Sequence, residues 1–327
     1  MKKAISLVLA AVLALCMAGG AAADSIHLRY AELDVGENLL TVDAHYFADR
    51  VNELSGGRII IDIYDSAQLG PEKEAVQGTQ MGVIDICRAT VTLLADFNMP
   101  MLNILCLPYI FVSREHCWKV LDSDIGDMLR AYPQAQKTGM VGLWFAEEGT
   151  RSLITVDGPV TRIDQIAGRK IRANNASLMI DTINAMGASA VPMAYTEVPV
   201  SLMSGTIEGL ENIASGYNVS TYYETAAYYA LTRHITSVIL VVMNENSWNR
   251  LSPEDQEILR RASADTEQYA RQKAQEYEER SLEELKQKNV KINEVDNIDE
   301  WIEAVKPVQL KYGAGYEELI ARIDAMR

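Results

Sequence analysis

Histidine and cysteine are scarce in this chain. Four of each are spread over 327 residues, too few and too scattered for the reactive clusters on which many hydrolases and metalloenzymes depend. His27, His45, His116 and His234 have no metal-ligand partner at helical spacing. His116 and Cys117 adjoin each other, and helix neighbours point roughly 100° apart. The sequence has no G-x-S-x-G elbow, Walker loop, G-x-G-x-x-G or H-E-x-x-H, so the usual signatures of nucleophilic, nucleotide-dependent and zinc-dependent chemistry are missing. The expectation is a protein with no cofactor, no metal and no catalytic residue. Positive charge is also short, with 30 basic residues against 45 acidic ones and a net charge of −15. Such a field repels nucleic acid and anionic membrane surfaces. It repels a small anion at a distance too, so anion capture would require arginines converging locally.

The first 23 residues read as a leader. Met1-Lys2-Lys3 is basic, Ala4 to Met17 is apolar but short for a membrane span, and Ala21-Ala22-Ala23 is an A-x-A site before Asp24. Leu15 before Cys16 fits cleavage better than lipid anchoring, which needs a small residue there. An exported, periplasmic chain starting near Asp24 is expected. No later segment reaches 18 uninterrupted apolar residues. Of the remaining cysteines Cys87, Cys106 and Cys117, an odd number, at least one is free, and their apolar surroundings fit small buried hydrophobes.

Hydrophobic periodicity alternates between helix and strand. Leu39 to Leu54 is amphipathic and stops at Gly56-Gly57, Arg58 to Tyr64 alternates as a strand, Pro71 opens a helix ending near Gly82, and Val83 to Ala89 is a strand. Arg114 to Tyr132 reads as helical and Met140 to Ala146 as a buried strand. The alternation resumes after Gly149, which predicts an α/β fold in two domains. His234 to Asn244 is long enough to pass from one domain to the other. Ser252-Pro253-Glu254-Asp255 caps a helix running to about Gln287 that would brace both. The expected division is 24–148 plus 238–277 for the first domain and 149–237 plus 278–327 for the second.

Within this acidic chain, two arginines occupy unusual places. Arg151 follows the glycine of Gly149-Thr150-Arg151-Ser152, and Arg172 lies inside the apolar strand of Gly168-Arg169-Lys170-Ile171-Arg172. An unpaired charge in such a strand is costly, whereas a guanidinium offers a planar fork that fits a carboxylate or phosphate through two parallel hydrogen bonds. A site for an organic anion follows. Arg88 shares a strand face with Ile86 and Thr90 and either reaches the same cleft or pairs with an acid at the sheet edge.

The succession Gln68-Leu69-Gly70-Pro71-Glu72, Leu107-Pro108-Tyr109-Ile110-Phe111, Gly149-Thr150-Arg151-Ser152, Gly168-Arg169-Lys170-Ile171-Arg172, Tyr195-Thr196-Glu197-Val198 and Gly209-Leu210-Glu211-Asn212 resembles the solute-binding subunit of tripartite ATP-independent periplasmic (TRAP) transporters, the DctP type. The resemblance covers essentially the whole chain beyond the leader. It implies a type II periplasmic binding-protein fold that closes by hinge motion on a small organic anion and delivers it to TRAP membrane permease subunits, acting as a monomer. By motif position it implies that Arg172 clamps the carboxylate, Arg151 is a second cationic contact, Asn212 a hydrogen-bonding partner and Tyr195 an aromatic wall, with Asn175 and Glu72 as polar contacts. A monocarboxylate or sugar acid ranks first. A third guanidinium from Arg88 would favour a second negative charge: a diacid, a sugar acid rich in hydroxyls, or a phosphorylated polyol. A sensor's ligand-binding module and an exported enzyme are the competing roles.

Overall fold

The computed structural model describes residues 25–220 and 222–327; the leader and its cleavage site lie outside them. Nine strands form one sheet: β1 (Ile26–Ala31), β2 (Ile59–Tyr64), β3 (Ile86–Thr90), β4 (Met140–Thr155), β5 (Lys170–Ala173), β6 (Ser189–Pro192), β7 (Gly209–Asn212), β8 (Tyr228–Asn244) and β9 (Lys291–Glu294). Their order is β2-β1-β3-β8-β4-β7-β5-β6, with β9 beside β8. The two ends are parallel, as helical crossovers require, and the long antiparallel pair β4–β8 runs through both.

Three local expectations change. The strand expected to end at Ala146 continues for 16 residues to Thr155. Gly149 (φ 119°) lies within this strand at a register shift in the ladder, where a bulge absorbs the extra residue and bends the strand. The single helix expected over Arg114 to Tyr132 is two, Arg114–Leu121 and Asp124–Ala135. The Ser123 hydroxyl caps the second by accepting from the Ile125 N–H at 3.1 Å. Gly126 permits the close join, since a Cβ there would stand 2.0 Å from the Leu121 carbonyl oxygen. β3 begins at Ile86, later than expected, because Val83 is exposed rather than packed.

Leu28, Phe47, Trp144 and Leu259 pack one core under the β1–β2 end, and Leu210, Tyr217, Tyr229 and Leu285 pack another under the β7 end. A helix of 35 residues, Pro253–Gln287, contributes to both. At about 1.5 Å per residue it spans roughly 50 Å. Its start follows from the sequence, with Ser252 Oγ accepting from the Asp255 N–H at 3.1 Å and Pro253 in the first turn.

β4, β8 and this helix meet at one point. Gly149 pairs with Ser237, and a Cβ on Gly149 would lie 3.5 Å from both the Arg114 guanidinium and the Glu278 carboxylate. Arg114 bonds to Glu278 and places its Nε 2.7 Å from Glu147 Oε2. Burial pushes the Glu147 carboxyl up to about 7, with Arg114 opposing and Glu278 adding to the rise. Cys87, Cys106 and Cys117 are all buried and free.

Candidate functional site

A cavity of about 420 Å³ opens between the two ends of the sheet, within the usual size of a small-molecule site. All seven residues singled out from the sequence line it: Glu72, Arg88, Arg151, Arg172, Asn175, Tyr195 and Asn212. Their surroundings differ sharply.

Arg172 stands in β5, buried in a strand whose residues Ile171 to Ala173 are all covered, and lines the cavity. Its Nε and Nη2 both donate to the Met193 carbonyl, at 3.2 and 2.9 Å. Its guanidinium carbon lies 5.7 Å from the centre of the Tyr195 ring, a cation–π distance. Among the described residues no carboxylate pairs with it. Burial pulls its guanidinium below the ordinary value, with Glu211 opposing and Arg151 adding to the fall. Of its five N–H bonds, the side-on pair serves Met193, which leaves the end-on Nη1/Nη2 fork available.

Arg151 is different. Antiparallel pairing of β4 with β7 sets Leu153 opposite Glu211, and this brings the Glu211 carboxylate to Arg151. Nε and Nη2 both bond to that carboxylate, the latter at 3.0 Å, and Nη2 also reaches the Glu211 carbonyl at 3.1 Å. Burial works against the Arg151 charge, but Glu211 outweighs it and holds the guanidinium above the ordinary value. Arg151 therefore lines the cavity as one half of a buried ion pair. His234 lies behind, its Nδ1 2.8 Å from Thr232 Oγ1 and its Nε2 3.9 Å from Glu211. Burial, then Arg151, pulls the imidazole down to about 3, so it is neutral near pH 7.

Arg88 realises both readings of its position: it lines the cavity and is paired. Its Nε donates to Glu32 at 3.1 Å and its Nη2 to Asp34. Asn212 Nδ2 reaches the Tyr195 hydroxyl at 3.4 Å while Oδ1 accepts from the Ile213 N–H at 2.9 Å. Tyr195 packs edge-on against Tyr222, with ring centres 5.7 Å apart. Glu72 opens the helix Glu72–Met81, and its Oε1 accepts from the Thr90 N–H at 2.6 Å. Asn175 is exposed at the rim.

Sequence reasoning missed Asp34, Asn38 and Glu148, which also line the cavity. Glu148 is buried on β4 with Oε2 accepting from Ser237 Oγ at 2.7 Å. Burial pushes its carboxyl up, Arg88 opposing. An acid directly before Gly149 and at the end of an apolar strand was the available signal. The described residues include no group of three or more His, Cys, Asp or Glu able to hold a metal ion. None of their helices is long and apolar enough to cross a membrane.

Comparison with known proteins identifies the assembly. The family described as bacterial extracellular solute-binding protein, family 7 (DctP), matches residues 36–314. A solute-binding protein of Chromohalobacter salexigens is 34% identical over 280 residues, 84% of this chain and 80% of that protein. A TRAP periplasmic solute-binding protein of Bradyrhizobium, in complex with D-galacturonate, superposes with a TM-score of 0.87 at 30% identity, covering 91% of this chain and 99% of the other. One from Pseudomonas putida with bound D-glucuronate gives 0.88 at 28% identity, covering 92% and 97%. These relatives are solute-binding proteins rather than enzymes. With its type II periplasmic-binding architecture and a cavity lined by the arginines its motifs predicted, the chain belongs to the DctP family of TRAP solute-binding proteins.

Proposed function

We propose that the chain captures a small organic acid, a monocarboxylate of the sugar-acid class, and delivers it unaltered to a TRAP membrane permease. The observation that carries this reading is Arg172: a buried guanidinium lining the cavity, paired with no carboxylate among the described residues, with only Nε and Nη2 bonded to Met193. A ligand carboxylate supplies the missing charge and two parallel hydrogen bonds. Tyr195 and Asn212 flank it, Arg151 contributes a donor edge already balanced by Glu211, and Glu72 and Asn175 face the rest of the molecule. The galacturonate and glucuronate held by the structural relatives support the sugar-acid class.

Ligand would bridge two domains, 24–148 plus 238–277 and 149–237 plus 278–327, and its preference for the closed form would shift the equilibrium toward closure. The meeting of Gly149, Ser237 and Glu278 at one point supports these boundaries, because a hinge needs its crossing segments side by side. Export with cleavage between Ala23 and Asp24, and action as a monomer, complete the reading. Mass spectrometry of small molecules released from the purified chain tests it. The expected result is an intact organic acid; a molecule without a carboxylate, or one converted during incubation, overturns it.

A further inference from the structure

We propose that the cavity wall opposite Arg172 accepts hydrogen bonds from hydroxyl groups and rejects a second carboxylate, with Glu148 and Asp34 as the residues that set this selectivity. This rests on Arg172 as the carboxylate clamp.

The wall is rich in acceptors and poor in free positive charge. Arg88, its buried cation, is already bonded to Glu32 and Asp34. Glu32 is fixed in turn by the Leu33 and Asp34 N–H groups at 2.8 and 3.0 Å. Among the described residues Glu148 is bonded only to the Ser237 hydroxyl, and to neither Arg88 nor Arg151. Glu72 has one oxygen on the Thr90 N–H and one remaining. Lys73, the other cation on this side, stands exposed between Glu72 and Glu74. Behind the wall, Asp43 is fully buried with both carboxyl oxygens unpartnered, and Glu32 Oε2 is unpartnered too.

A carboxylate arriving here would meet the like charge of Asp34, Glu148 and Glu72, and the donors nearby, Arg88 Nη1 and the exposed Lys73, belong to cations already set among acids. A hydroxyl would instead donate to the open carboxylate lone pairs. Arg88 therefore does not favour a diacid or a phosphorylated polyol, because it enters the cavity with two carboxylates already bound to it.

The test uses matched pairs that differ only in one terminal group: D-erythronate against meso-tartrate, D-gluconate against D-glucarate, and D-galactonate against galactarate. Binding to the purified full-length mature chain is measured by calorimetry and thermal shift at pH 7.5. The monocarboxylate is expected to bind at least about tenfold more tightly in every pair that binds. Glu148→Gln keeps an acceptor for Ser237 and should narrow that ratio mainly by raising affinity for the diacid; its melting point without ligand checks that it folds. Equal or tighter binding of diacids, an unchanged ratio in a folded Glu148→Gln, or no binding by any hydroxylated monocarboxylate overturns the proposal. Arg172→Lys separates the two readings: if monocarboxylates depend on Arg172 but diacids bind as well, the clamp stands and the selective wall fails.

Discussion

Replacing Arg172 with lysine keeps the charge and removes the fork. In the native site, Nε and Nη2 hold the Met193 carbonyl and the end-on edge remains for the ligand. A lysine ammonium reaches one carboxylate oxygen at best and cannot hold Met193 at the same time. Loss of one charge-assisted hydrogen bond costs about 2 kcal/mol, a roughly thirtyfold rise in Kd. Ligand at one hundred times the native Kd stabilises the native protein by about 2.7 kcal/mol. At the same concentration the variant would gain about 0.9 kcal/mol, so most of the thermal shift disappears. D-Galacturonate is the first probe, and calorimetry gives Kd directly. A Kd within about threefold of native in the folded variant would refute the bidentate clamp.

Two further outcomes are expected. Glu211→Ala strands the Arg151 guanidinium in a buried site and should cost about 3–5 kcal/mol in denaturant unfolding; a loss below about 1 kcal/mol would mean that water or another group already serves Arg151. Glu147, raised to about 7 in the fold from an ordinary 4.5, holds more protons folded than unfolded between those values. Its contribution is full below about 4.5 and is lost as pH rises through about 7, a change of roughly 3 kcal/mol. Glu147→Gln should flatten that part of the urea-midpoint profile between pH 5 and 8, and parallel curves for the two proteins would sink the assignment.

Arg172 was legible in the sequence because a charge inside an apolar strand has few innocent explanations. The long helix was equally legible, since its cap and first-turn proline are local signals. The pairing of Arg151 was not, because its partner lies 60 positions later and the register of β4 against β7 creates the contact. Asp34 was hidden by abundance in a chain with 45 acids, and Glu148 had only its place before Gly149 to mark it until burial singled it out. The continuity of β4 beyond Ala146 was not legible because Gly149 interrupts its apolar run. In the fold its positive φ serves a bulge, a distinction that depends on the neighbouring strand.

The position of β8 in the chain governs how the protein can be made. β8 lies beside β3 and β4 at the centre of the sheet, yet its residues come late in the sequence, and Cys87 waits for Val242 and Met140 for Asn244. Pairings so distant are slow to form. Until the chain is complete to Asn244, no strand joins the β1–β2–β3 end to β4 and the β7–β5–β6 end beyond it. The two ends of the sheet are therefore joined only once β8 has paired with both β3 and β4.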